Sequence, residues 1–185
     1  MKSRLPFSAL ALFLAFATVA AASDALVLNG SGLRTKPLLG AMYELSLFVP
    51  QEMKGAHPKA LVEYAQPMEL SLLIKSSLIN RSRFVEATSE GFEKAAQSGH
   101  ASGQTQQFLK QFDAIEFRKG DTVVMRYENG GLVTLYRKAA TPEAGATETK
   151  LGRIPGIELK QALFAIWLGD SPVQESLKKS LLGGQ

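Results

Sequence analysis

From Leu39 to Val49 every second residue is apolar or aromatic. Leu39, Ala41, Tyr43, Leu45, Leu47 and Val49 share one face of an extended segment, and Pro50 stops it. Spacing with period two over this length makes a β-strand with one face turned to a core. It commits the chain to a sheet with another layer packed against that face. Just upstream, Gly30-Ser31-Gly32 reads as a turn, with Arg34 and Lys36-Pro37 leading into the strand. A turn there would fold Arg34 back toward the face that carries Tyr43. An arginine and a tyrosine beside an apolar surface can hold a carboxylate or a carbonyl oxygen.

The remaining segments supply the other strands and the covering layer. Ala25 to Asn29 is predicted as a short strand running into the Gly turn, and Gln51 to Pro58 as a polar loop. Ala60 to Ala65 and Met68 to Ile74 are predicted as strands on either side of Gln66-Pro67. Asn80 to Ser98 has an apolar stripe, Phe84, Ala87, Gly91-Phe92 and Ala95, at helical spacing. Ser102 to Phe112 reads as a second helix. Asp121 to Glu128 and Leu132 to Lys138 form a hairpin about Asn129-Gly130, because a type I′ turn needs positive φ at both central residues. Ala139 to Gly152, rich in Ala, Thr, Glu and Gly, shows no periodicity and reads as a flexible loop. Gly156 to Leu168 is a helix stopped by Gly169. Ser171-Pro172-Val173-Gln174 reads as the capped start of another, which buries Val173, Leu177 and Leu181. Strands, then helices, then a hairpin, then helices imply an α+β fold: a mostly antiparallel sheet with helices on one face.

The first residues read as an address. Lys2 and Arg4, the apolar run Leu5 to Val19, and Ala20-Ala21-Ala22 have the three-part pattern of a signal peptide. Residues 1–22 are expected to be removed, leaving residues 23–185 as one domain in the periplasm or outside the cell. No later segment is long and apolar enough to span a membrane. The formal charge of +4 includes Lys2 and Arg4, and no basic-aromatic run supports binding to nucleic acid. The chain has no Cys, which excludes disulfides and thiolate chemistry. His57 and His100 lack acidic residues at ligand spacing, so no metal is expected. Ser31 lacks the nucleophile elbow of a hydrolase. Thr35 stands where a dinucleotide fingerprint needs its third Gly, so no cofactor is expected either. Trp167, on its apolar stripe, reads as core. The oligomeric state is not legible in the sequence.

Two stretches carry a resemblance. Leu28-Asn29-Gly30-Ser31-Gly32-Leu33-Arg34, followed by Met42-Tyr43-Glu44-Leu45-Ser46-Leu47-Phe48, resembles the opening of bacterial chalcone-isomerase-like proteins. Ile166-Trp167-Leu168-Gly169-Asp170-Ser171-Pro172, with Leu177 and Leu181-Leu182-Gly183 after it, resembles their end. The resemblance implies an open-faced sandwich, a large antiparallel sheet with helices packed on one face. It implies that the key arginine of the isomerases falls on Arg34. It puts Tyr43 at a threonine of the second strand, Phe84 at the catalytic tyrosine, Gly91 at an asparagine and Ile166 near a late threonine.

Phe84, Gly91 and Ile166 have no side-chain donor with which to polarise a carbonyl. The arrangement is therefore more similar to the fatty-acid-binding branch of the fold, where an arginine and a tyrosine hold a carboxylate and an apolar chamber takes the chain. On that resemblance the expected ligand contacts are Arg34, Tyr43, Phe84, Leu45 and Leu47, with no catalytic residue. The expected partner is a small amphiphile such as a fatty acid. Two other readings stay open: an isomerase or intramolecular lyase using Arg34 as electrophile, and a module that binds another envelope protein.

Overall fold

The computed structural model describes residues 25–184, so the segment read as a signal peptide lies outside the described residues. Six strands form one antiparallel sheet in sequence order: β1 (Val27–Lys36), β2 (Gly40–Val49), β3 (Met68–Ile74), β4 (Thr122–Glu128), β5 (Gly131–Lys138) and β6 (Thr147–Pro155). The helices are α1 (Pro58–Glu63), α2 (Arg81–Gln97), α3 (Thr105–Lys110), α4 (Glu158–Leu168) and α5 (Glu175–Leu181). This is the expected α+β open-faced sandwich.

Alternation decides which face is covered. Leu45, Leu47 and Val49 of β2, Met68, Leu70, Leu72 and Ile74 of β3, and Val123 and Met125 of β4 are buried in one core with the helices. On the opposite face, Val124, Val133 and Leu135 make a separate small cluster, beside an ion pair of Arg126 with Glu69 at 2.6 Å. α4 is the central helix. Nearly every residue from Leu159 to Leu168 is buried, so its sequence is apolar all round rather than on one stripe. α2 starts at Asn80, whose side chain accepts from the Arg83 N–H, and lies against α4 through its apolar stripe. Asn129 and Gly130 take φ of 49° and 70°, as the hairpin reading requires.

Five local readings are corrected. Gly30-Ser31-Gly32 is not a turn, because β1 runs straight through it. The chain turns instead at Lys36 to Leu39, where the Leu39 N–H donates to the Lys36 carbonyl at 3.1 Å. The glycines serve close approach. A Cβ on Gly30 would sit 2.2 Å from the Ser180 carbonyl oxygen, and one on Gly32 would sit 2.6 Å from Ser180 Cβ. Their missing side chains let α5 lie directly on β1.

Ala60 to Ala65 is not a strand, since α1 spans Pro58–Glu63. Pro58 fits the first helical turn, and the adjacent pair Leu61 and Val62 is buried together, which a strand's alternation would not allow. Thr147 to Gly152 is not a loop but most of β6. An edge strand exposed on both sides has no apolar alternation to reveal it. Finally, α5 starts at Glu175 and Ser171 does not cap it. The Val173 N–H donates back to the Ile166 carbonyl, and Gln174 stays extended at φ −161° with its side chain turned onto β1. α3 is also shorter than the expected 102–112 segment.

Candidate ligand-binding site

Arg34 and Tyr43 are direct cross-strand partners on β1 and β2. Thr35 then pairs with Ala41, so Met42 is the extra residue of a β-bulge at this point. The bulge lets Met42 and Tyr43 both line one cavity of about 360 Å³. The sheet forms one wall through Leu72 and Met125, and α2 and α4 form the other through Phe84, Gly91, Leu163 and Ile166. Exposed charges surround its mouth: Lys36, Arg83 and Lys94 against Glu86 and Glu90.

Tyr43 holds a defined donor. Its hydroxyl oxygen accepts from the Trp167 indole N–H at 2.9 Å. A phenol can accept and donate at once, so the hydroxyl proton is still available. Among the described residues no acceptor takes it. Burial raises the Tyr43 pKa against the opposing effects of the Trp167 hydrogen bond and the Arg34 charge, so the group stays protonated at neutral pH.

Arg34 is held without being neutralised. Its Nη1 donates to Gln174 Oε1 at 2.9 Å and to the Thr35 carbonyl at 3.0 Å. The same Gln174 oxygen accepts from the Thr35 N–H at 3.1 Å, and Gln174 Nε2 donates to Ser176 Oγ at 2.6 Å. Among the described residues no carboxylate forms an ion pair with Arg34. β1 therefore presents Gly30, Gly32 and Arg34 in alternation to α5 and the residue before it: Ser180 lies over the glycines and Gln174 over Arg34.

The family described as chalcone isomerase-like matches residues 15–183 of this sequence. The chain belongs to that family. Among solved structures, this chalcone isomerase-like chain is similar to a fatty-acid binding protein of Arabidopsis thaliana. The two share 19% identity and a TM-score of 0.62, over 86% of this chain and 87% of that one. At that identity the likeness establishes the fold. No curated protein matches the sequence.

The positions that the resemblance singled out gather at one place. Arg34, Tyr43, Phe84, Gly91 and Ile166 all line the cavity. Phe84 belongs to an aromatic cluster, with its ring 4.8 Å from Phe112 and 4.6 Å from Phe117. Gly91 is small for a packing reason: a Cβ there would lie 2.8 Å from the Ile166 side chain. Leu45 and Leu47, expected as ligand contacts, are fully buried farther along β2 and do not line the cavity.

Trp167 and Gln174 are the residues that sequence reasoning missed as site residues. An aromatic on a helical stripe and a glutamine near a helix start each have a commoner structural explanation. No sequence signal joins either residue to partners more than a hundred positions away.

Proposed function

We propose that this chalcone isomerase-like protein binds a small amphiphile with a carboxylate head, such as a fatty acid, without converting it. The observation that carries this reading is the pairing of an unneutralised guanidinium with a free phenol proton on adjacent strands, at the wall of a cavity with an apolar interior and a charged mouth. Arginine's planar fork suits a carboxylate, and such a charge-assisted contact contributes roughly 1.5–3 kcal/mol. The cavity volume lies within the range of small-molecule pockets, about 300–1,000 Å³. Each buried methylene adds ~0.8 kcal/mol. The fold shared with the Arabidopsis fatty-acid binding protein supports the same reading. Phe84, Gly91 and Ile166 add shape and apolar surface rather than donors, which favours holding a ligand over activating one.

The proposal includes export, on the pattern of Lys2, Arg4, Leu5 to Val19 and Ala20-Ala21-Ala22. Native mass spectrometry of the protein recovered from its own compartment tests both parts. The expected species starts near Ser23 and carries a carboxylic-acid lipid. A chain that still starts at Met1 contradicts export, and a protein carrying no ligand or a neutral one contradicts the binding reading.

A further inference from the structure

The β1–β2 hairpin ends in a feature that the fold does not use. Lys36 to Leu39 makes a tight turn with Pro37 in second place and Leu38 in third, at φ 63°. A turn with positive φ at its third residue normally takes Gly or Asn there, because any other side chain is strained. Leu38 is nevertheless a leucine, and it is fully exposed. Leu39 beside it is 53% exposed. Here backbone strain and apolar exposure fall on one residue, which the described residues leave uncovered.

The surroundings point to an occupant. Lys36 stands two residues before Leu38 and lines the cavity mouth with Arg83 and Lys94, and Glu86 and Glu90 stand on the same rim, which keeps a net positive charge. Across from β1, the Met42 carbonyl accepts from the N–H groups of Lys75 and Ser76. That places the loop bearing exposed Leu78 beside the base of the hairpin. A narrow apolar tip beside a rim of net positive charge matches an anionic lipid surface, whose headgroups attract that charge and whose acyl region receives the leucines. A protein partner would more commonly meet a broader patch with aromatic anchors.

We infer that the Leu38-Leu39 tip inserts into an anionic lipid bilayer and sets the cavity mouth against it. Docking stands on the tip itself. It rests on the proposed function only for what passes between bilayer and cavity, a lipid-derived acid.

The test is flotation with vesicles of phosphatidylcholine, with and without about 30% phosphatidylglycerol. Wild type and the Leu38→Gly/Leu39→Ser variant carry the same N-terminus, so any leader contributes equally to both. Wild type is expected to float with the anionic vesicles, less so as salt rises. The variant is expected to lose about tenfold or more in partitioning. Leu38→Gly alone should raise thermal stability, because Gly relieves the positive φ, while it weakens flotation. That opposite movement separates docking from misfolding.

Equal flotation of variant and wild type, or none by wild type, overturns the inference. Tip-dependent dimers in vesicle-free sedimentation overturn it too, by assigning the tip to a second copy. Calorimetry with a soluble fatty acid, without vesicles, is run in parallel. Loss of acid binding with intact flotation defeats the ligand reading alone, whereas the reverse result defeats docking alone.

Discussion

The Trp167 indole N–H donates to the Tyr43 hydroxyl oxygen at 2.9 Å, joining α4 to β2 across 124 residues of chain. The bond occupies an acceptor position of the phenol and aims its proton elsewhere. If that proton meets a ligand carboxylate, Trp167 acts on the ligand through Tyr43. Tyr43→Phe should then lower affinity by about 0.5–1.5 kcal/mol. Trp167→Phe should cost a similar amount or less. The double variant should be no weaker than Tyr43→Phe alone, because the two act as one unit. Additive losses in a calorimetric cycle would show that Trp167 contributes separately, through packing.

Gln174 fixes Arg34 while leaving its charge unpaired. Gln174→Glu would place a carboxylate where Arg34 Nη1 already donates, so a ligand would have to compete with it. Affinity for an acid should fall about ten- to a hundredfold, with thermal stability close to wild type. Gln174→Ala should cost less than tenfold. An unchanged affinity in Gln174→Glu would remove Arg34 from the site.

The docking of α5 on β1 makes a stability prediction. A Cβ on Gly30 meets backbone, the Ser180 and Leu181 carbonyl oxygens at 2.2 and 2.7 Å. A Cβ on Gly32 meets the Ser180 side chain first. Backbone cannot rotate away, so Gly30→Ala should destabilise by more than ~2 kcal/mol and Gly32→Ala by about 1–2. Urea denaturation measures the order. A harmless Gly30→Ala would mean that α5 does not lie where it is described.

These glycines also show where the sequence was readable and where it was not. β2, β3, α2 and the Asn129-Gly130 hairpin follow from local spacing, and each was legible. Gly30 and Gly32 were misread because a glycine needed for a bend and a glycine needed for close approach look identical in one dimension. β6 left no pattern because neither of its faces is continuously buried. Arg34 and Tyr43 could be suspected as neighbours. Their direct pairing depends on a strand register with a bulge at Met42, and the Trp167 and Gln174 contacts depend on the whole tertiary fold.

Lys160 carries a pH signature. Its ammonium is wholly buried and donates to the carbonyls of Leu61, Val62 and Tyr64 at 2.6, 2.8 and 2.9 Å, closing the end of α1. Burial pulls its pKa down from 10.5 to about 7, while the three carbonyls favour the charged form. The sign follows from proton counting. Between about pH 7 and 10.5 the unfolded chain keeps this proton and the folded chain does not, so stability from this group rises with pH across that window. The slope is at most ~1.4 kcal/mol per pH unit. Denaturant midpoints at pH 7 and pH 9 should show wild type gaining on Lys160→Met. Parallel pH dependence in the two proteins would mean that Lys160 does not titrate in that range.

The most direct measurement compares a long-chain fatty acid with its methyl ester, by titration calorimetry, on folded wild type and Arg34→Ala. Wild type is predicted to bind the acid more tightly than the ester. Arg34→Ala should lower acid affinity about ten- to a hundredfold and discriminate less between the two ligands. Arg34→Lys should recover only part of the loss, because an ammonium cannot present the same fork. Equal binding of acid and ester by wild type would contradict the carboxylate anchor and leave Arg34 as the residue that ties β1 to Gln174.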